Sequence, residues 1–362
     1  MKITFPYMGT SHIAFKYLIE SLGHQAIVPP KPSKRTLSLG TQHSPEFACL
    51  PFKLLMGNYL EAIEQGAELI ITSGGIGPCR AGYYGVLHQK LLEDMGYPTR
   101  MLVFESPFRY PLDFFKKVKA VLAPNKIGWL EFLGHYKRAW RKLQILDEVE
   151  AATYDLRPFE VHKGETTKIF NHCLTLIDDA AARDEMEQVR EESLVLLRGI
   201  ALDRSRKPLK IGIIGEIYVV LEPFANFDLQ VTLGEMGVIT QRTIYLAGWA
   251  KENSSWDGEK EVKEAAKPYL KEMIGGHGIN SVGDTVHYAR RGFHGVVQLA
   301  PFTCIPEIVA KGILNKVSQD MAIPVMTVFL DEQTGKAGVQ TRLEAFVDLL
   351  AQKRERMEEM AI

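Results

Sequence analysis

One pattern occurs twice in the chain and constrains its fold more than any other feature. In the first copy an apolar run over residues 69–72 leads through Gly77-Pro78 to Cys79. A helical stretch follows, then Asp94-Met95-Gly96-Tyr97-Pro98 and a second apolar run containing Val103-Phe104. In the second copy a run over 296–299 leads through Pro301-Phe302 to Cys304. A helical stretch, Asp320-Met321-Ala322-Ile323-Pro324 and a run containing Val328-Phe329 complete it. The gap from Cys to Pro is 19 residues in one copy and 20 in the other. Recurrence of the whole succession points to a structural repeat. Both cysteines then follow the third strand of their domain, at the carboxyl end where open parallel sheets hold their ligands.

The flanking sequence extends each copy into an α/β unit. Strands are expected over 2–7, 25–28, 67–72 and 99–104. Helices are expected over 12–22, from Ser44-Pro45-Glu46 to about 65, and from the Gly-rich loop to 95. The second half repeats the alternation, with strands over 209–214, 238–242, 295–299 and 324–330. Its helices are expected over 227–236, 260–273, 280–290, 306–321 and 340–352. Between the halves, residues 112–203 carry helical periodicity, as at Ile169, Cys173, Leu176, Ile177 and Ala180, and almost no strand signal. The fold class is therefore α/β, with two Rossmann-like domains of small, mostly parallel sheets joined by a helical segment. The boundaries fall at 1–110, 111–206 and 207–362.

Composition removes several classes of function. Basic and acidic residues number 43 and 44 in 362, a formal charge of −1, so no global field points to nucleic acid or an anionic membrane. No run of 18 apolar residues occurs and the first residues lack a signal-peptide core, which makes a cytoplasmic chain the expectation. The basic cluster from Tyr136 to Lys142 reads as a solvated helix face rather than a nucleic-acid site. No G-x-x-x-x-G-K-[ST], G-x-G-x-x-G or G-x-S-x-G frame is present, so bound nucleotide and a serine nucleophile elbow are not expected.

The four cysteines, Cys49, Cys79, Cys173 and Cys304, form no C-x-x-C pair, so any joint role requires the fold to bring them together. Cys49, Cys79 and Cys304 all lie at expected loop-to-helix junctions. There, unpaired N–H groups and the helix dipole favour a thiolate or an anionic sulfide cluster. Three thiolates from two domains facing one cleft suit an iron–sulfur cluster. On spacing alone, three buried structural cysteines explain the pattern equally well.

The wording around these cysteines resembles the 2-hydroxyacyl-CoA dehydratase and benzoyl-CoA reductase superfamily, and within it the activase-associated branch. The resembling residues are Cys49-Leu50-Pro51-Phe52-Lys53, Gly77-Pro78-Cys79-Arg80 with Gly82 and Tyr84, Pro223-Phe224 with Asn226, and Pro301-Phe302-Thr303-Cys304. The stretch Asp331-Glu332-Gln333-Thr334-Gly335 and the segment from Thr341 to Phe346 complete them. The resemblance implies an oxygen-sensitive [4Fe–4S] protein of anaerobic metabolism held by Cys49, Cys79 and Cys304. In that superfamily the three cysteines leave one iron open. A separate ATP-dependent activator delivers a single low-potential electron, and an acyl-CoA substrate loses its hydroxyl group through a ketyl radical. A paired homologous subunit is a further implied partner. Four cysteines suffice for one cubane and not for two.

Cys173, on the apolar stripe of a helix, is either a small core residue or the fourth ligand, which would close the cluster. Arg80 is a candidate donor to cluster sulfides, or pairs with a carboxylate. Lys53, His172, His294 and the loop Gly275-Gly276-His277-Gly278 are each read as solvated or structural, while for Asp331, Glu332 and Arg342 a solvated helix start and a substrate contact explain the pattern equally well. The leading expectation is a [4Fe–4S] protein of a low-potential electron-transfer or acyl-CoA dehydratase/reductase-like system. The alternatives are a non-catalytic cluster-binding accessory or scaffold subunit, and a metal-free two-domain binding protein.

Overall fold

A computed structural model describes residues 1–75, 77–248 and 260–360; Ile76, in the loop leading to Cys79, lies outside them. The chain forms two four-stranded, all-parallel sheets. The first contains β1 (Lys2–Thr4), β2 (Gln25–Ala26), β3 (Leu69–Ser73) and β4 (Arg100–Phe104) in the order β2-β1-β3-β4. The second contains β5 (Leu209–Gly215), β6 (Val238–Arg242), β7 (Gly295–Pro301) and β8 (Val325–Leu330) in the order β6-β5-β7-β8. The two orders are the same, which is the repeat expected from the sequence. Strand β7 is buried along its whole length, as a parallel strand covered on both faces must be.

The first domain carries α1 (His12–Ser21), α2 (Lys34–Gln42), α3 (Leu50–Glu64) and α4 (Tyr84–Asp94). Helix α2 was not expected. Ser33 and Thr36 close a capping box at its start, while Gly40 in its interior lowers helix propensity and hid the signal. The glycine has a packing reason. A Cβ on Gly40 would stand 1.7 Å from the Lys53 carbonyl oxygen, and one on Gly57 would stand 1.9 Å from that of Thr36. Helices α2 and α3 thus meet backbone to backbone. The helix expected from Ser44 begins only at Leu50, with Cys49 as its N-cap and Pro51 in its first turn. From Leu50 to Ala62 every residue of α3 is buried.

The helical segment comprises α5 (Pro111–Leu122), α6 (Trp129–Leu156), α7 (Glu165–Asp179) and α8 (Arg183–Arg198). Helix α5 packs on the first sheet through Val118, Val121 and Leu122, in one apolar cluster with Ile3 and Leu69. Helix α6 lies against α1 on one side and β6 on the other, so it bridges the domains. At the second domain its Glu150 pairs with Arg242 of β6 at 2.9 Å, both side chains largely buried. Only part of the basic cluster is a solvated face: Tyr136 and Lys137 are exposed, and the rest is engaged. Lys142 is fully buried, donates to the Asp178 carbonyl at 2.9 Å and lies over the Tyr17 ring. Arg138 donates to the Tyr17 hydroxyl, and Arg141 grips Glu187 with two bonds of 2.6 and 2.7 Å.

In the second domain, short helices α9 (Ile217–Leu221) and α10 (Pro223–Asn226) follow β5, neither of them expected, and α11 (Leu229–Glu235) precedes β6. Then come α12 (Lys260–Ala266), α13 (Gly278–Arg290), α14 (Ile305–Asp320) and α15 (Lys336–Met360). Helix α12 ends well before the expected residue 273, because Pro268 disfavours helical backbone at the residue before it. One apolar core runs through both domains and the helical segment, joining Leu54 and Ile70 to Leu146, Cys173, Ile213, Val297 and Leu343. No helix among the described residues is long and apolar enough to cross a membrane.

The contact of α2 with α3 gives a direct test. Gly57→Ala must push two backbones apart, and should lower unfolding stability by about 1–3 kcal/mol, the usual penalty of overpacking. Denaturant unfolding measures it. An unchanged midpoint would mean that the helices separate without strain.

Candidate metal centre

The carboxyl ends of the two sheets face each other, and the loops that leave them interlock. After β1, Gly9 donates its N–H to Glu222 of the second domain at 2.8 Å. After β3, the loop to Cys79 packs on the second domain's Gly275-Gly276 turn. A Cβ on Gly275 would meet the Cys79 nitrogen at 2.7 Å, and one on Gly276 would lie 3.8 Å from the Cys79 Sγ. After β8, Glu332 pairs with Lys53 of α3 at 2.6 Å. Lys53 is only 2% exposed and also donates to the Glu46 carbonyl at 3.1 Å. The expectation of a solvated lysine is corrected: helix α3 has no solvent face at that position, so the ammonium is satisfied across the domain boundary.

Cys49, Cys79 and Cys304 occupy the same local position in three different elements. Each is the N-cap residue of the helical turn that follows it: α3, the 3-10 turn Arg80–Tyr83 and α14. Cys79 and Cys304 follow the third strand of their sheets, as the repeat requires. Cys49 caps the helix that precedes β3, and its counterpart in the second domain, the cap of α13 before β7, is His277. The three cysteines converge. The Tyr84 hydroxyl hydrogen-bonds Cys49, and a Cβ on Gly276 would stand 3.8 Å from the Cys79 Sγ and 3.2 Å from Pro306 in the first turn of the helix that Cys304 caps.

Arg80 ties these loops together. Its guanidinium donates to the Phe47 carbonyl at 3.0 Å, to the Thr303 carbonyl at 2.6 Å and to the Thr303 hydroxyl at 3.0 Å. Thr303 in turn donates to the Phe47 carbonyl at 3.1 Å. Residues adjoining all three cysteines are thus bound to one another. The role of Arg80 is a backbone clamp: among the described residues it pairs with no carboxylate, and its Nη1 and Nη2 donate to carbonyl and hydroxyl oxygens. Thr303 holds φ at +70°, a strained backbone for a residue with a branched Cβ, directly before Cys304.

One residue at this centre has no sequence signal. Glu216 follows β5 at its carboxyl end and caps α9, its Oε2 accepting the Val219 N–H at 3.0 Å. Its charge acts on Cys49, Cys79 and Cys304 alike. Burial pushes the Glu216 carboxyl up to about 7. Glu307, one turn into α14, is fully buried and likewise pushed up to about 7 by burial. Its Oε2 accepts from Ser281 and Gln298 at 2.9 and 2.8 Å, while its Oε1 is buried with no hydrogen-bond partner.

Burial also pushes all three thiols above the ordinary cysteine value. The expectation that helix termini would favour thiolate is thereby overturned for the metal-free chain: desolvation and the nearby carboxylates outweigh the N-cap position. These are protonated, unreactive thiols, the opposite of a nucleophile's setting. No group of three or more His, Cys, Asp or Glu side chains among the described residues is spaced to hold a single metal ion.

Cys173 lies elsewhere. It is fully buried in α7, its Sγ 3.9 Å from the Ser193 carbonyl of α8 within the apolar core. His172 is exposed beside it, and the His294 Nδ1 accepts the Lys210 N–H at the other end of the second sheet. Asp331 accepts from Gln333 and Thr334 within its own turn, and Arg342 donates to the Thr327 carbonyl of β8.

The burial pattern sets an order of thiol reactivity. At pH 8 iodoacetamide should modify the half-buried Cys79 first, Cys49 and Cys304 more slowly and Cys173 last, all slower than a free cysteine. Rates should climb only as pH passes the ordinary thiol value, because the raised pKa leaves little thiolate below it. Peptide mapping with time reads the order; a fast-reacting Cys304 would contradict it. No protein-family model matches the chain and no curated protein matches its sequence.

Proposed function

We propose that the chain is a cytoplasmic [4Fe–4S] protein of a low-potential electron-transfer or acyl-CoA dehydratase/reductase-like system, with Cys49, Cys79 and Cys304 as the cysteine ligands. The observation that carries the proposal is their convergence: three N-cap thiols, from both domains, held by one arginine clamp around one cleft. The donor set fits the group. Three soft thiolates suit an iron–sulfur cluster, and buried neutral thiols are what a metal site contains before loading releases their protons. Glycine at 275 and 276 lets the backbone approach Cys79 where a side chain would collide. A bound cluster would supply one-electron transfer at the cleft. The chain's own residues would hold it, exclude water and fix the spacing of the ligands.

Partner docking is supported by the surface around the cysteines. Phe47, Tyr83 and Phe302 are 67, 75 and 55% exposed, and each lies within four residues of a ligand cysteine. Exposed aromatic side chains grouped at a functional cleft mark an interaction surface. In this reading the face receives a separate electron-donating activator that hydrolyses ATP. The paired homologous subunit and an acyl-CoA substrate belong to the same reading. An accessory role in cluster binding shares the site and differs only in turnover.

Anaerobic reconstitution with ferrous iron and sulfide tests the proposal. The wild-type chain should turn brown and hold about four irons and four sulfides. Cys49→Ser, Cys79→Ser and Cys304→Ser should each lose most of that iron, while Cys173→Ser should retain it. A colourless wild-type chain, or equal loss in the Cys173 variant, would overturn the assignment. Arg80→Ala should load the cluster but lose it faster in air, as the three loops are no longer bound together.

A further inference from the structure

We propose that the arm formed by α5 and the first half of α6 is a docking surface for an anionic lipid bilayer, on which the chain lies without spanning it. The proposal is independent of the cluster assignment. Helix α5 buries Val118, Val121 and Leu122 against the first sheet, so its outer face should be polar if water alone covered it. That face instead carries Leu112 and Phe115, 87 and 52% exposed. Helix α6 follows the same pattern. None of its first ten residues is buried, and burial begins only at Ala139. Leu130 is 87% exposed, and Trp129, Leu133 and Tyr136 are exposed with it at helical spacing.

These side chains form one surface. Ring centroids run from Phe115 to Trp129 at 5.7 Å, from Trp129 to Phe132 at 6.1 Å and from Phe132 to Tyr136 at 6.1 Å. Leu112 lies one turn before Phe115, and Phe108 and Tyr110, both exposed, precede it. A grouped exposed apolar patch marks an interaction site, and its charge selects the partner. Residues 108–137 contain six basic residues and two acidic ones. Both acids are engaged within their own helix: Asp113 pairs with Lys117, and Glu131 Oε1 lies 3.8 Å from His135 Nε2. Arg109, Lys116, Lys119, Lys126 and Lys137 are exposed and have no ion-pair partner among the described residues. The net charge of −1 for the whole chain conceals this local excess.

Aromatic and leucine side chains interleaved with lysines are the chemistry of a bilayer interface. Tryptophan and tyrosine settle at the level of the headgroups, leucine enters the acyl boundary, and lysine stems return their ammonium groups to the lipid phosphates. A protein partner fits less well, because protein interfaces are depleted in lysine and four of the five unpaired cations are lysines. No helix among the described residues is long and apolar enough to cross a membrane, so the mode is peripheral. Tyr110, at the edge of the patch, lines a cavity with Glu105, Asp113 and Gly75 of the loop leading to Cys79. A bilayer seated on the arm would lie beside that loop.

Co-sedimentation of the full chain with vesicles tests the proposal, comparing phosphatidylcholine mixed with phosphatidylglycerol against phosphatidylcholine alone. The chain should pellet with the anionic vesicles, less so as salt screens the lysines. Its tryptophan emission should shift to the blue, and Trp129→Phe should remove most of that shift. Lys116→Glu combined with Lys119→Glu should weaken partitioning at least about tenfold. Leu112→Ser combined with Leu130→Ser should weaken it by a similar factor through lost insertion. All four side chains are exposed, so both double variants should keep the wild-type denaturation midpoint. If the wild type stays in the supernatant with anionic vesicles, the proposal falls; self-association abolished by the leucine variant would then assign the face to a second copy of the chain. Sedimentation that survives both double variants would also overturn it, since the lipid contact would lie elsewhere.

Discussion

The close crossing of α2 and α3 is the constraint from which the rest of the centre follows. Gly40 and Gly57 remove the Cβ atoms that would keep the two backbones apart, and α3 is then buried on every side. A helix in that position has no freedom to tilt, so the residue at its N-terminus is fixed in space. That residue is Cys49. One turn on, Lys53 has no route to solvent and must find a carboxylate, which Glu332 provides from the far domain. A packing requirement between two helices of the first domain thus becomes an ion pair between domains. A buried pair of this kind adds little net stability; its effect is to select one relative placement of the two sheets.

The second constraint is electrostatic. A cleft that gathers three thiols and two carboxylates cannot hold them ionised away from water, and the shifts in all five groups are upward. Burial thus favours the protonated form of all five groups in the metal-free cleft, whose loops are held by the Arg80 clamp on backbone oxygens and the Lys53–Glu332 pair. N-cap geometry directs backbone N–H groups at each sulfur, yet this does not overcome desolvation.

Much of the architecture was legible in the sequence. Parallel strands buried on both faces are continuous apolar runs, so β5, β7 and β8 stood out with almost correct bounds, and the Cys-to-Pro spacing exposed the repeat. The positions of Cys79 and Cys304 after their third strands followed from it. What stayed hidden was whatever depends on contacts distant in sequence. Helix α2 was masked by a glycine whose purpose lies in α3. Lys53 and Lys142 looked solvated because nothing local shows that their helix faces are covered. Arg80 looked like a partner for a charged group, and its carbonyl acceptors belong to loops of both domains. Glu216 carried no motif at all; the only available signal was its position after the first strand of the second domain, where the topology directs residues to the cleft.

The repeat also explains why the centre is asymmetric. Equivalent positions in the two domains are Cys79 with Cys304, and Cys49 with His277. The residue after the first strand is apolar or aromatic in one domain, around Tyr7 and Met8, and acidic in the other, at Glu216. A pair of identical domains would present two equal half-sites and a donor set with two-fold symmetry. Here the first domain brings two cysteines to the cleft and the second brings one, so the two half-sites are unequal.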